Sequence, residues 1–317
     1  MKKIIAFPFR SQKALMHPES RQMLLDAGFE IVANETGAAL PADQQKEMIK
    51  DAYAIVAGTE KYDAAMLEGC DNLKAVIRFG VGVDNFDLKT MKEKGIEVGV
   101  IANHDSVAEF ALLLLLSAMK NSPRLDRDVR QGKWARYPMK ELTGKTVGLI
   151  GFGRIGRRLA ELLQGFNVNL LAYDPYLNAE KAAALNAKAV TLDELLKQAD
   201  VVSLHLPHTP ETDHMCNAEF FAKMKDGAYF VNTSRGKLVD EKALVEALNS
   251  GKLSGAGIDV FEVEPVTADN PLFNVENTAL APHCAALSYE TNYNGAIVCA
   301  QSIINVLNGE KPVNPLF

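Results

Sequence analysis

Three side chains with complementary chemistry follow separate apolar runs in the second half of the chain: Arg235, Glu264 and His283. A guanidinium can hold a carboxylate through parallel hydrogen bonds, and an imidazole can give or take a proton near neutral pH. A carboxylate beside that imidazole fixes its orientation and favours its protonated form. Taken singly, such residues are more often a surface arginine, a loop glutamate and a structural histidine. Because all three follow predicted strands, where open α/β sheets bind ligands, together they favour an acid–base site.

A glycine loop earlier in the chain has the features of a dinucleotide site. The apolar run Thr146–Ile150 leads into Gly151-Phe152-Gly153-Arg154-Ile155-Gly156, and a helical pattern follows. Gly151 permits a tight turn, Gly153 lets a pyrophosphate approach the backbone, and Gly156 lets helix and strand pack closely. The N-terminus of the helix attracts the phosphates. The loop alone is weak evidence, because glycine turns are common. Its flanking strand and helix favour dinucleotide binding over an ordinary strand–helix turn.

Asp174 ends the second apolar run, at the distance expected for the acid of a dinucleotide site. A carboxylate there can accept hydrogen bonds from the adenosine ribose hydroxyls and would repel a 2′-phosphate. Neither arginine nor lysine follows before Lys181. The predicted cofactor is therefore NAD rather than NADP.

The first hundred residues alternate between strand and helix patterns, which predicts βα units and a parallel sheet. The expected strands cover residues 3–7, 30–33, 54–58, 75–79 and 97–100, and the expected helices lie near residues 20–27, 41–51, 63–68 and 88–94. The N-terminal apolar run is too short for a signal peptide, so residues 3–7 are predicted to be the first strand.

The second half repeats this alternation after a helical pattern, residues 106–120, that is apolar nearly all round. Such a helix should be buried between domains or between subunits. Strands are then expected at residues 187–190, 201–206, 228–232, 255–260 and 278–281, and helices at 192–198, 218–224, 241–249 and 289–307. Because the last helix follows a complete second sheet, we expect it to return to the first domain.

The expected fold class is α/β, with two doubly wound parallel-sheet domains and a cleft between them. Residues 1–100 and 289–317 are predicted to form a discontinuous, flavodoxin-like substrate domain. Residues 101–288 are predicted to form a Rossmann-type NAD domain.

Composition fits two globular domains: 317 residues, 48% hydrophobic and 23% charged, with a formal net charge of −6. The sequence contains neither a basic patch nor an apolar run of membrane-spanning length, so neither nucleic acid nor a membrane is an expected partner. The four cysteines are scattered without a CxxC pair. We therefore expect a reduced, cytoplasmic protein without a metal site.

An ordered set of motifs resembles the D-isomer-specific 2-hydroxyacid dehydrogenases over essentially the whole chain. Besides the glycine loop, these are Phe79-Gly80-Val81-Gly82-Val83-Asp84-Asn85, Asn103-His104-Asp105-Ser106-Val107-Ala108-Glu109, Leu204-His205-Leu206-Pro207-His208-Thr209-Pro210-Glu211-Thr212, Val231-Asn232-Thr233-Ser234-Arg235-Gly236, Gly257-Ile258-Asp259-Val260-Phe261-Glu262-Val263-Glu264-Pro265 and Ala281-Pro282-His283. The chain most resembles the branch of phosphoglycerate dehydrogenases and hydroxypyruvate or glyoxylate reductases. It looks like a short form, with no room for a C-terminal regulatory domain.

The resemblance implies a role for each matching residue. The catalytic residues would be Arg235, which holds carboxylate and keto oxygen, Glu264, and His283, which supplies the proton. The cofactor would be bound by Gly151, Gly153, Arg154, Ile155, Gly156, Asp174, His205, Pro207, Thr212, Thr233, Asp259 and His283. The substrate would be bound by Arg78, Val81, Gly82 and Arg235.

Several of these positions have plainer alternatives. Gly80 to Gly82 could be a simple glycine turn, Asp259 a strand cap and His205 a buried strand-end histidine. Ser106 with Glu109 fits a helix capping box slightly better than a ligand contact. Cys284 and the alanines after it replace the family's usual glycine pair beside the histidine, and we interpret the cysteine as packing.

The expected function is NAD-dependent interconversion of a 2-keto acid and its D-2-hydroxy acid by a homodimer built on residues 106–119. Alternatives are phosphoglycerate dehydrogenase, an NADH-sensing corepressor of the same fold, and formate dehydrogenase. The corepressor's long polar tail and the formate enzyme's glutamine near the histidine are missing from this sequence. Ala57 stands where many phosphoglycerate dehydrogenases carry a second arginine, and Glu60 would oppose a phosphate near Lys61 and Arg78. A small unphosphorylated acid, glyoxylate or hydroxypyruvate, is therefore favoured.

Overall fold

A computed structural model describes residues 3–8, 17–101 and 104–317 of the chain. The chain divides into two compact units, one of residues 1–103 and 287–317 and the other of residues 104–286. The sequence predicted that the chain passes from the first domain to the second after residue 100 and returns after residue 288. The first boundary between the units lies three residues later than this, and the second lies two residues earlier.

The first unit contains a five-stranded sheet in the order β2-β1-β3-β4-β5, with every pair parallel. Its strands are β1 (Lys3–Phe7), β2 (Phe29–Ala33), β3 (Ala52–Ala57), β4 (Ala75–Arg78) and β5 (Glu97–Val100). Its helices are α1 (Pro18–Asp26), α2 (Ala42–Ile49), α3 (Leu88–Glu93) and α11 (Tyr289–Leu307). Successive side chains of a strand enter two different apolar clusters: Ile5 and Phe7 join one, and Ala6 the other. Both faces of the sheet are thus covered, as in doubly wound folds.

The second unit contains a seven-stranded parallel sheet in the order β12-β11-β10-β9-β6-β7-β8. Its strands are β6 (Thr146–Ile150), β7 (Asn169–Tyr173), β8 (Ala187–Ala189), β9 (Val201–Leu204), β10 (Ala228–Asn232), β11 (Leu253–Ile258) and β12 (Thr278–Leu280). Its helices are α4 (His104–Met119), α5 (Ser122–Arg130), α6 (Arg154–Leu163), α7 (Ala179–Ala183), α8 (Leu192–Gln198), α9 (Ala218–Lys223) and α10 (Glu241–Asn249), with short 3₁₀ turns at Gln164–Phe166, Gly236–Leu238 and Pro271–Asn274. The strand order reverses between β6 and β9. Such a switch point is where doubly wound sheets bind dinucleotides.

The expected fold class, two parallel-sheet α/β domains, is confirmed. Three local expectations differ. Residues 63–68 form turns, not a helix, although Leu67 N donates to Asp63 O as one helical turn would. The short helices α5 and α7 were not predicted, because α5 is almost entirely polar and α7 has five residues.

Helix α4 is buried mainly inside its own unit. It packs against α6, β10, β11 and β12, and its side chains join the cluster that contains Val147 and Leu149. The contact with β11 is so close that a Cβ on Gly257 would lie 2.8 Å from the Cβ of Leu114. Most of the apolar pattern of α4 is therefore explained by the core of the second unit.

Candidate active site and cofactor loop

The glycine loop leaves β6 at the switch point of the seven-stranded sheet. Gly151 has φ +94°, a left-handed conformation, and its N–H donates to Tyr173 O at 2.8 Å. A Cβ on Gly151 would overlap the carbonyl of His205, and one on Gly156 would overlap the carbonyl oxygen of Gly151. These two glycines are required by the turn itself.

Gly153 is different, because the protein leaves space beside it. Within the described part of the chain, no atom lies within 4 Å of where its Cβ would be. Gly153 is the N-cap of α6, and no side chain caps that helix. The open space and the uncapped amides at the N-terminus of α6 fit a pyrophosphate. Arg154, which is exposed, and Ile155 follow in the first turn.

Asp174 follows β7 and faces the glycine loop. Its Oδ2 accepts a hydrogen bond from Phe152 N at 2.8 Å, and its Oδ1 accepts one from Tyr176 N at 2.8 Å. Each carboxylate oxygen can accept more than one hydrogen bond. The two backbone bonds orient the carboxylate and leave capacity for ribose hydroxyls.

On the other side of the switch point, β9 and β10 are each followed by a residue with a buried polar atom, His205 and Thr233. His205 Nε2 lies 3.0 Å from Ser203 Oγ, while His205 Nδ1 and Thr233 Oγ1 are buried without a hydrogen-bond partner among the described residues. Burial lowers the pKa of His205 to about 4, so its ring is neutral at pH 7. An unsatisfied buried polar atom is costly, and a bound cofactor would remove that cost.

Pro207 and Thr212 belong to one loop after β9. Thr212 Oγ1 donates to Pro207 O at 3.0 Å and accepts from Thr209 N at 2.8 Å. Thr212 therefore closes the loop, a structural use that the sequence did not reveal. Pro207 is exposed on that loop.

His283 and Glu264 form a pair after β12 and β11. His283 Nδ1 lies 2.6 Å from Glu264 Oε2, and Glu264 Oε1 accepts from Phe261 N at 2.9 Å. Burial raises the pKa of Glu264. The hydrogen bonds from His283 and Phe261, helped by the charge of Arg235, outweigh that effect and lower the pKa below its ordinary value. An ionised Glu264 favours a proton on the Nδ1 of His283.

Arg235 follows β10 beside this pair. Its Nη1 donates to Ser234 O at 2.7 Å, and its own carbonyl accepts from Asn232 Nδ2 at 2.9 Å. The next residue, Gly236, packs on the carbonyl of Phe261 so tightly that a Cβ would overlap it. The loop of Arg235 thus lies against the loop of Glu264, and the charge of Arg235 acts on the Glu264 carboxylate that pairs with His283.

Asp259 is fully buried at the end of β11. Its carboxylate accepts from Cys284 N at 2.9 Å and Ala285 N at 3.0 Å, and its carbonyl accepts from His283 N at 2.7 Å. Burial raises the pKa of Asp259, against the opposing effect of the two amides. These three hydrogen bonds to Asp259 hold the loop of His283 in place. Burial and the nearby charge of Asp259 raise the pKa of the Cys284 thiol, which agrees with a packing role rather than a nucleophilic one.

Arg78 ends β4 in the first unit and turns its guanidinium onto the loop that follows. Its Nε donates to Gly82 O at 2.9 Å and its Nη1 to Phe79 O at 2.8 Å. Val81, in the same turn, is exposed. Lys61 forms an ion pair with Asp63 at 2.8 Å.

One residue of the second unit has a contact that the sequence did not predict. The hydroxyl of Ser106 donates to the carbonyl of Ala285 at 2.7 Å. The expected capping box with Glu109 is not formed, because α4 begins two residues before Ser106. A contact between residues 179 positions apart leaves no local signal in sequence.

Within the described residues, no group of three or more histidine, cysteine, aspartate or glutamate side chains could hold a metal ion. The same part of the chain contains no helix with the length and apolarity needed to cross a membrane.

The glycine loop lies at the switch point of a Rossmann-type sheet, and the histidine–glutamate pair and the arginine follow strands that end at the same edge. Residues 112–285 match the model of the D-isomer specific 2-hydroxyacid dehydrogenase NAD binding domain. The chain belongs to this family, and NAD is its cofactor.

Relatives cover most of the chain. It is 42% identical over 279 residues to a glyoxylate reductase of Korarchaeum cryptofilum, spanning 84% of this chain and 83% of the relative. It is 40% identical over 268 residues to a D-3-phosphoglycerate dehydrogenase of Archaeoglobus fulgidus, spanning 83% of this chain and 51% of that relative. The chain thus spans about half the length of the phosphoglycerate dehydrogenase it matches. A solved D-lactate dehydrogenase of Aquifex aeolicus, complexed with NAD and lactic acid, is 29% identical, with a TM-score of 0.85 over 99% of both chains.

The carboxylate of Asp174 should set the choice between NADH and NADPH. We expect kcat/KM to be higher with NADH by at least about tenfold, or about 1.4 kcal/mol, because a 2′-phosphate would meet like charge. Asp174→Asn should narrow this ratio, and Asp226→Asn, an exposed carboxylate at the opposite edge of the sheet, should not. Equal kcat/KM for the two cofactors in the unmodified protein would show that Asp174 does not read the ribose.

Proposed function

We propose that this protein interconverts a 2-keto acid and its D-2-hydroxy acid with NAD as hydride carrier. The observation that carries the proposal is the His283–Glu264 pair at 2.6 Å beside Arg235, at the same sheet edge as the glycine loop. A keto acid needs an anchor for its carboxylate, polarisation of its ketone and a proton donor. These three side chains supply all of them.

The contacts of the three side chains support these proposed roles. When bound, the reduced cofactor supplies hydride to C2 of the keto acid. Glu264 holds the Nδ1 side of His283, so Nε2 is the nitrogen that carries the proton for the developing alkoxide and takes it back in the reverse reaction. Arg235 engages the carboxylate and keto oxygen through its planar fork. The charge of Arg235 also helps to keep Glu264 ionised.

The remaining site residues keep the roles implied by the family. For the cofactor we propose Gly151, Gly153, Arg154, Ile155, Gly156, Asp174, His205, Pro207, Thr212, Thr233, Asp259 and His283. For the substrate we propose Arg235 with Val81 and Gly82, and Arg78 contributes through the turn that it holds. Two buried polar atoms, His205 Nδ1 and Thr233 Oγ1, support the cofactor set because each lacks a protein partner in the described part of the chain.

Replacing His283 tests the reaction directly. His283→Asn should lower kcat by about 10²–10⁴-fold, because general acid catalysis is lost. Binding of NADH, followed by fluorescence titration, should stay nearly unchanged. His17→Asn, at the start of α1 in the other unit, is the matched control and should turn over normally. Near-normal turnover of His283→Asn at neutral pH would remove the histidine from the mechanism.

The proposed substrate is a small unphosphorylated acid such as glyoxylate or hydroxypyruvate. The two cations that could face a phosphate both have partners: Lys61 pairs with Asp63, and Arg78 binds the carbonyls of Phe79 and Gly82. The alternative is 3-phosphohydroxypyruvate, which the likeness to phosphoglycerate dehydrogenase keeps open.

A substrate panel at fixed NADH separates these alternatives. We expect kcat/KM for 3-phosphohydroxypyruvate not to exceed that for both small acids by more than about tenfold, or about 1.4 kcal/mol. Arg78→Gln should lower kcat/KM for all three acids by a similar factor, because Arg78 supports a turn. A loss confined to the phosphorylated acid would instead make Arg78 a phosphate ligand and reverse the proposal.

We also propose that the protein is a cytoplasmic homodimer. Its four cysteines are free, as in a reducing compartment. Leu113 on α4, Val129 on α5, and Trp134 and Met139 beyond it are each more than half exposed. Lys140 N donates a hydrogen bond to Met119 O at 3.3 Å, so the chain that follows α5 returns to the end of α4 beside Met139. Several large apolar side chains on neighbouring exposed elements are typical of an interface.

Sedimentation at micromolar concentration tests the dimer. The unmodified protein should sediment as a dimer, and Leu113→Glu with Trp134→Glu should shift it to monomer because charges would be buried. Phe273→Glu, another exposed aromatic position of the same unit, should leave the dimer intact. A monomeric unmodified protein would refute the proposal.

A further inference from the structure

The loop that carries His283 is anchored from two directions. On one side Asp259 binds the amides of His283, Cys284 and Ala285. On the other, the Ser106 hydroxyl of α4 donates to the carbonyl of Ala285 at 2.7 Å. Ala285 is buried, and buried backbone groups need hydrogen-bond partners. Asp259, at the end of β11, accepts from its N–H, and Ser106, on α4, donates to its carbonyl.

His283 needs these anchors because its backbone is unfavourable. Its φ is +51°, in the left-handed region that a residue with a Cβ seldom adopts. Such a conformation persists when the surrounding contacts determine it. Backbone N–H groups of the His283 loop donate hydrogen bonds to Asp259 on one side. On the other side, two residues after His283, the Ala285 carbonyl accepts a hydrogen bond from Ser106.

Ser106 is attached to a rigid support. Helix α4 lies directly on β11 at Gly257, with no room for an added Cβ. The first turn of α4 is also tied to α6, since Asp105 Oδ1 lies 2.7 Å from Arg158 Nε. The position of the Ser106 hydroxyl is therefore set by the core of the unit, and the hydroxyl can transmit that position to the loop of His283.

We propose that Ser106 is a positioning residue for the reaction: through the carbonyl of Ala285 it sets the placement of the His283 imidazole. The inference rests on the proposed role of His283 as general acid and base. It does not require Ser106 to touch cofactor or substrate.

The test compares Ser106→Ala and Ser106→Thr with Ser302→Ala. Alanine removes the bond while favouring the helix, so loss of α4 cannot explain an effect. Threonine keeps the hydroxyl. Ser302 is a matched control, since its buried hydroxyl donates to Val298 O at 2.6 Å in the other unit. The readouts are kcat, KM for the keto acid, the Kd of NADH, the solvent deuterium isotope effect on kcat, and Tm.

We expect Ser106→Ala to lower kcat by roughly tenfold, since a catalytic group misplaced by about 1 Å can cost on the order of 10²-fold. KM and the Kd of NADH should stay close to those of the unmodified protein. The isotope effect should rise, because proton transfer from a misplaced imidazole becomes more rate-limiting. Ser106→Thr should restore most of the rate, and Ser302→Ala should change only Tm.

Three outcomes would overturn the inference. Normal kcat in Ser106→Ala, with His283→Asn inactive, would leave the proposed function intact and remove the role of Ser106. A raised Kd of NADH in Ser106→Ala would make Ser106 a cofactor ligand. If Ser302→Ala lowered kcat as much as Ser106→Ala does, the loss in Ser106→Ala would reflect general destabilisation of the fold. Activity in His283→Asn would instead refute the proposed function itself.

Discussion

Parallel pairing in the seven-stranded sheet is the constraint on which the candidate site depends. In a parallel sheet all strands end at the same edge, because each helix carries the chain back to the opposite edge, where the next strand begins. Strands β10, β11 and β12 therefore deliver Arg235, Glu264 and His283 to one place, although they are far apart in sequence. The pairing of β6 with β9 puts the glycine loop at the switch point of that edge. Strand order alone thus brings the glycine loop and these three residues to the same edge of the sheet.

The loops at this edge leave backbone amides that need acceptors, and polar side chains supply them. Asp259 accepts three hydrogen bonds from the loop of His283 through its carboxylate and carbonyl, and Asp174 accepts two from the loops around it. Burying a carboxylate opposes its ionised form, which is why the pKa of Asp259 rises despite these bonds. The residues that the family resemblance associates with the cofactor therefore also build the loops that would receive it.

Much of this architecture could be predicted because its signals are local. Alternating βα patterns gave five strands in the first sheet, and polar residues after apolar runs marked the strand ends. Residues 63–68 were mistaken for a helix because one helical turn there does not continue. The partner of α4 could not be predicted, since an apolar helix surface has the same sequence whether it faces a sheet, a domain or a subunit. The bond from Ser106 to Ala285 could not be predicted either, because it exists only once α4 and the end of β12 are packed in one unit.

The family resemblance alone does not reveal what the Arg78 side chain contacts. The sequence places an arginine at a strand end beside a glycine turn, where the family resemblance implies a substrate ligand. A guanidinium has five N–H donors, and the carbonyl oxygens of a tight turn can accept from them, as the oxygens of a ligand can. Here two of those donors bind Gly82 O and Phe79 O. The same residue type can thus hold its own backbone or hold a substrate. The direction of its donors decides between these uses, and that direction depends on the path of the turn, because Gly80, at φ +151°, lets the chain fold round the guanidinium.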